Sequence, residues 1–533
     1  MHAALRKLIL QDPLTKLPWL IVAAFLIVVV LTFRDYGITW DESVQAQYGE
    51  LVLAYLASGF TDKRCNDYKD LRYYGPLFET ATSILYQTFH LGKYETRHLC
   101  TALTAILAVI AVICYARLID PRAAPVFAAG ALILLPRFYG HAFNNSKDMP
   151  FAGMFALSML AIGAMVRRQA FGPRQALVIG GAIGVTLAIR VGGVLLFIYL
   201  LTAAVYAVFV RPRDDAPETP FRLRPMMFLN GGLLVLSAWI LMVSIWPWAH
   251  ENPFTRPLEA VRMSAAFHHT YQVVFAGRIM DSSQLPWFYL PWYLVITTPP
   301  PVLILALLGI GYGVGDIVAD PRSDRAALSC LTLLWILLPI GYFAISRPNV
   351  YDGIRHFLFV LPGVAILAGA GASRLLMRIR QPACKRLACG VLLLAMVTTI
   401  PSLVRLHPYQ TTFFNFFVGG TGTAGYYYDT DYWASSYKEA MEWVNCRAAE
   451  SAERPLRVLL AANDYARACA DYYRSPDVEL ETMYGVAEGG ALPAPYDYYI
   501  ATYRYGLAAN YPQSPIVRVI GRQGAVFTVI RRR

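Results

Sequence analysis

The chain has 533 residues, 56% of them hydrophobic and only 15% charged, with a mean hydropathy of +0.42. Soluble domains carry roughly 25% charged residues, so this composition excludes an ordinary globular protein and points to a polytopic membrane protein. The net charge of +12 does not indicate a nucleic-acid binder, because the basic residues fall in short clusters between apolar runs rather than along one stripe.

The start, Met1 to Lys16, is basic and leads into an apolar run over 17–33. No small-residue cleavage site follows, which predicts an uncleaved signal anchor. A span needs about 20 mainly apolar residues. Such runs fall at 17–33, 97–118, 123–139, 150–166, 175–189, 191–210, 226–247, 294–315, 327–345, 356–377 and 387–404. The fold class expected is therefore an α-helical polytopic membrane protein with about eleven transmembrane helices over 1–404.

Every second connection is basic. Arg6, Lys7 and Lys16 come first, followed by Arg117 and Arg122, then Arg167, Arg168 and Arg174. Arg211, Arg213, Arg222 and Arg224 continue the series, then Arg322 and Arg325, and finally Arg374, Arg378, Arg380, Lys385 and Arg386. Positive residues collect on the cytoplasmic side, so the intervening loops and the C-terminus are expected outside.

The first outward loop, 34–96, places Val44, Tyr48, Leu51, Val52, Tyr55 and Leu56 at the spacing of a surface helix. A second such stretch follows Tyr73-Tyr74-Gly75-Pro76. The loop 248–293 is dense in Trp, Tyr and Pro, suiting an interfacial belt or lid. The tail, 405–533, loses hydrophobicity and reads as a small extracytoplasmic α/β domain, with a helix over Ala434–Val444 and strands at Arg457–Ala462, Tyr498–Thr502 and around Val517 and Val526. Cys446 and Cys469 both lie in this tail, where either a disulfide or two free thiols is compatible with the sequence.

Carboxylates beside a membrane are costly unless they act, which directs attention to Asp41 and Glu42, just beyond the first span. Capping of the surface helix accounts for one of them more easily than for both. Asp148 is a second outward acid, beside Lys147 and before Pro150. Asp41 and Asp148 together offer oxygen donors suited to Mg or Mn, although two carboxylates do not specify a metal. Arg97, Arg190, and Arg355 with His356 place cations at the outer boundary, against the positive-inside trend, and so predict an anionic ligand held by guanidiniums. His268-His269 has no third ligand at useful spacing and is not read as a zinc site.

The order of these pieces resembles the multi-spanning GT-C glycosyltransferases that use polyprenyl-phosphate sugars. Within them it is similar to the protein O-mannosyltransferase and lipid A aminoarabinose or galacturonic acid transferase group. The pieces that match are Asp41-Glu42, Leu91-Gly92-Lys93-Tyr94-Glu95-Thr96-Arg97, Lys147-Asp148-Met149-Pro150-Phe151, Arg190, and Arg355-His356-Phe357-Leu358 with Pro362. The resemblance implies Asp41 as catalytic base, Asp148 as a second acidic site residue and Arg190 on the lipid phosphate. The bacterial lipid A transferases carry Lys-Pro-Pro where this chain has Tyr74-Gly75-Pro76, so Lys147, Arg190 or Arg355 must supply the missing phosphate contact. The function expected is inverting transfer of a sugar from the lipid carrier to a glycolipid, glycan or protein acceptor, outside a bacterial inner membrane. The rival is a lipid-linked sugar flippase, which would place charges at the midplane rather than at one face.

Overall fold

In lipid a backbone amide finds no water, so long apolar runs fold as helices that satisfy their own hydrogen bonds. A computed structural model of the chain describes residues 13–533 apart from 170, 211–224, 266–269, 451–454 and 488. The expected charges at Arg6, Lys7, Arg211, Arg213, Arg222 and Arg224, and His268-His269, lie outside the described residues. Eight described helices are long and apolar enough to cross a membrane. They are Leu14–Thr32, Lys93–Ile119, Asp148–Arg168, Met226–Ser244, Pro300–Ala319, Asp324–Ser346, Arg355–Arg378 and Pro382–Leu406. Large apolar side chains such as Leu31, Val318 and Ile345 stand exposed along them, as a lipid-facing surface requires. The chain is an integral membrane protein.

Eight of the eleven expected segments are these helices, and the other three take a different form. The segment 123–139 is a bent pair, Ala124–Ile133 and Pro136–Asn144, meeting at 62°. Pro136 lacks an amide hydrogen and forces Leu135 out of helical geometry, which explains the break. The segments at 175–189 and 191–210 are the shorter helices Pro173–Leu187 and Val191–Val205, interrupted around Arg190, whose backbone is extended. Helices approach closely where glycine allows it. A Cβ at Gly309 would lie 2.0 Å from the Leu367 carbonyl oxygen of the neighbouring helix.

The first loop, 34–96, folds as the helices Trp40–Ala57 and Leu77–Thr88, with two short turns between them. The aromatic loop contains a hairpin missed in the sequence, β1 (Gln272–Phe275) with β2 (Arg278–Asp281). In the tail, β3 (Leu456–Ala461), β4 (Val478–Met483), β5 (Tyr498–Thr502), β6 (Ile516–Arg522) and β7 (Ala525–Arg532) form one sheet in the order β4-β3-β5-β7-β6. β3 runs parallel to both β4 and β5, and the β5-β7-β6 part is antiparallel. The helices Tyr437–Glu450 and Asp464–Asp471 bury their apolar faces in the cluster beneath it. Cys446 is exposed and Cys469 buried, each on a different helix, and both are free thiols, so no disulfide joins them.

This domain rests on the first loop. The Lys438 ammonium donates to the Arg34 and Asp35 carbonyls, the Ile38 amide donates to the Tyr473 hydroxyl, and helix Asp464–Asp471 packs on Trp40–Ala57. The docking brings tail residues to Asp41.

Candidate functional site

Asp41 stands in the first turn of helix Trp40–Ala57, where the helix dipole favours a carboxylate. It lines a hollow of about 460 Å³ whose walls come from three sources. Lys69 and Tyr74 come from the first loop, Lys147, Tyr351 and Arg355 from the membrane part, and Asn463, Tyr465, Arg504 and Tyr505 from the tail. The Asp41 side chain is 29% exposed and accepts a hydrogen bond of 2.6 Å from the Arg355 guanidinium, with the Lys147 ammonium at 3.9 Å. Burial pushes this carboxyl up, but Arg355, Lys147 and Arg190 together hold it below the ordinary value. It is therefore ionised at neutral pH.

Arg355 is buried and lies at the centre of an alternating row of charges. Its Nε is 3.2 Å from Asp352, Asp352 is 2.8 Å from the Arg504 guanidinium, and Arg504 is 3.8 Å from Asp429. A row that runs Lys147, Asp41, Arg355, Asp352, Arg504, Asp429 links membrane part to tail, partly exposed at Lys147 and Asp41 and buried from Arg355 onward. Arg504 also donates to the Tyr432 carbonyl at 2.8 Å and stacks between the rings of Trp40 and Tyr505. Asp352, Ala434 and Tyr505, all in the wall of the hollow, hold left-handed backbone conformations (φ 59°, 55° and 60°). Such strain costs of order 1–3 kcal/mol per residue and concentrates at functional sites.

Behind Asp41 lies a second pair. Asp148 is buried and ion-paired with Arg190, and it also accepts from Asn145 at 3.2 Å. The Arg190 side chain is 20% exposed and packs over Tyr74, whose ring also carries the Lys147 ammonium at 4.9 Å. Tyr74 is placed by Gly75, where a Cβ would lie 2.2 Å from the Ala188 carbonyl oxygen, two residues before Arg190. The stretch Tyr74-Gly75-Pro76 thus builds a cation-faced wall without a lysine of its own.

Several residues expected at the site are placed elsewhere. Glu42 is fully buried and closes a capping box with Thr39, bonding also to His98. Its role is to fix the helix that presents Asp41, and Glu42→Gln is expected to lower stability by about 1 kcal/mol with activity retained, read by thermal unfolding beside turnover. Arg97 is fully buried and spent on Glu79, Thr82 and Ser146, so it faces no ligand. His356 does not line the hollow; its ring meets Tyr351 edge-on at 4.8 Å. Asp148 lies behind Arg190 rather than across an open cavity from Asp41.

Asp41 and Asp148 are each paired with a guanidinium, and among the described residues no group of three or more His, Cys, Asp or Glu is placed to hold a metal. Asp352, Arg504 and Asp429 are site residues that the sequence reading missed. Asp352 was findable as an acid three residues before Arg355, but Arg504 and Asp429 reach the site only through the tail's docking.

Burial lifts the Asp429 carboxyl from 3.8 to about 6, with Arg504 pulling the other way. Because the folded value lies above the unfolded one, ionised Asp429 costs stability. That cost is absent at acid pH, grows as pH rises between the two values and is complete above the upper one. Asp429→Asn is expected to match the wild type at the acid end of that window. Above the window it should melt higher, by about 2–3 kcal/mol of stability once the wild-type carboxylate is fully ionised, as read by thermal unfolding across pH.

No family model and no curated protein matches the sequence. Among solved structures, ArnT from Cupriavidus metallidurans bound to undecaprenyl phosphate superimposes with a TM-score of 0.53 at 15% identity, covering 96% of this chain and 97% of ArnT. The fold is of the GT-C type. An Archaeoglobus fulgidus oligosaccharyltransferase tethered to an acceptor peptide follows with a TM-score of 0.47 at 13% identity, over 96% of this chain and 74% of its own. At such identities the likeness to these neighbours is one of chain path.

Proposed function

We infer that the protein transfers a sugar from a polyprenyl-phosphate carrier to an acceptor hydroxyl on the outer side of a bacterial inner membrane. One observation carries the reading. An ionised, solvent-reachable carboxylate, Asp41, shares one hollow with Lys147 and Arg355, and Arg190 stands behind Tyr74. ArnT, which has the same fold, was solved with undecaprenyl phosphate, a ligand whose charge suits these cations.

The donor phosphate draws Arg355, Lys147 and Arg190 towards itself, and Asp41 loses the partners that lower its basicity. Asp41 then accepts the proton of the acceptor hydroxyl while that oxygen attacks the anomeric carbon from the face opposite the phosphate. The bond between anomeric carbon and phosphate oxygen breaks, and its electron pair leaves on the phosphate, where the three cations stabilise it. Asp148 holds Arg190 in place.

Purified protein in nanodiscs is incubated with polyprenyl-phosphate sugars labelled in the sugar. Release of polyprenyl phosphate together with labelled acceptor supports the reading. Sugar moved across the bilayer with its bond to the carrier intact overturns it in favour of a flippase.

A further inference from the structure

Beside the hollow lies a second cleft of about 350 Å³, within the range of small-molecule sites, roughly 300–1,000 Å³. The two cavities share Arg504 and Tyr505, which stand in the wall between them. Three segments distant in sequence build the cleft: the β1-β2 hairpin, the stretch around Tyr426–Tyr432, and Tyr503–Ala509. They are tied together, since the Val274 amide donates to Asp429 and the Gly277 amide to the Tyr427 carbonyl.

The charge of the lining selects its occupant. Its ionisable groups of opposite sign are Asp429 and Asp431 against Arg504 alone. Arg504 is already matched by Asp352 and Asp429, and Asp431 is spent on the Ser435 and Ser436 amides. A phosphate or carboxylate in the cleft would meet no free cation among the described residues, in contrast to the hollow next door. The rest of the lining is aromatic and aliphatic, with Gln272 and Thr430 adding polar groups. Tyr426 is 70% exposed and Tyr503 46%, with Gln272 exposed beside them. Flat rings that carry a hydroxyl offer an apolar face to the C–H side of a sugar ring and a hydrogen bond to its edge.

We propose that this cleft is the acceptor subsite and that it binds an uncharged saccharide, so that the transferred sugar is added to a glycan and not to a phosphorylated lipid. The proposal rests on the transfer reading above. The acceptor's penultimate ring lies against Tyr503 and Tyr426, and its terminal hydroxyl reaches Asp41 when the Arg504 and Tyr505 side chains in the shared wall turn aside.

The test uses the full chain in detergent, titrated separately with undecaprenyl phosphate, with a panel of neutral oligosaccharides (glucan, mannan, galactan and chitin fragments) and with lipid A. Saccharide binding is read by saturation-transfer NMR and calorimetry. The expected result is binding of at least one neutral saccharide, weakened roughly tenfold in Tyr426→Ala and in Tyr503→Ala, with undecaprenyl phosphate binding unchanged in both. Binding of lipid A with no neutral saccharide bound overturns the proposal, as does saccharide binding indifferent to both substitutions, or no saccharide binding at all. Failure of undecaprenyl phosphate to bind the wild type counts against the donor reading instead, and so the two failures are told apart.

Discussion

Asp41→Asn is expected to lower transfer by about 10²–10⁴-fold, the usual worth of a general base, which corresponds to about 3–5 kcal/mol of barrier. The substitution is isosteric, and Arg355 keeps Asp352 as a buried partner, so folding should survive. The informative part is the split between steps. Removing a negative charge from beside Arg355 and Lys147 frees both for the carrier phosphate, so undecaprenyl phosphate should bind the variant as tightly as the wild type or more tightly. A fall in kcat with intact carrier affinity therefore identifies a base. A parallel loss of carrier binding would mean that Asp41 organises the site rather than reacting in it.

Arg355→Gln should do the opposite. The carrier phosphate loses a charge-assisted hydrogen bond, worth about 1.5–3 kcal/mol, so affinity falls roughly tenfold to a hundredfold. Stability falls as well. Asp352 is buried and keeps only Arg504, and breaking a buried ion pair costs about 3–5 kcal/mol when the remaining charge has no partner. The surviving Arg504 contact places the expected loss at the lower end of that range. Arg355→Lys should recover part of the affinity, because it restores the charge without the fork. The acid limb of activity provides a third readout. Arg355 is the strongest of the groups that lower the Asp41 carboxyl, so its removal leaves burial to dominate and the limb moves to higher pH in Arg355→Gln. In the wild type the acid limb of kcat/KM, which reports the free enzyme, stays at or below the ordinary carboxylate range.

What was legible in the sequence divides along a physical line. Hydrophobic runs and alternating basic loops gave the helices in the right order, because lipid leaves the backbone few choices. Pro136 breaks the run 123–139, which hydropathy alone reads as continuous, and the helices on either side of Arg190 are shorter than full spans. At the site, Asp41, Lys147, Arg190, Arg355 and Tyr74 come together because they border the membrane, where charge is conspicuous. Arg97 and Glu42 are equally conspicuous in sequence, yet Glu79 and the Thr39 cap absorb them internally. Which charges face a ligand depends on partners brought from far along the chain, and that pairing has no local signature. Arg504 makes the point most sharply. It lies far beyond Asp352 in the chain and meets it only because the tail docks on the first loop, helix Asp464–Asp471 against Trp40–Ala57.

The central claim is that Asp41 and the cations around it share one extramembrane hollow built to grip a lipid-linked phosphate. A cryo-EM structure of the protein in nanodiscs with undecaprenyl phosphate tests it most directly. The phosphate should sit within hydrogen-bond distance of Arg355 and Lys147, with Arg190 turned towards it and the Asp41–Arg355 contact opened. A phosphate bound away from these side chains, with the Asp41–Arg355 pair still closed, would contradict the account.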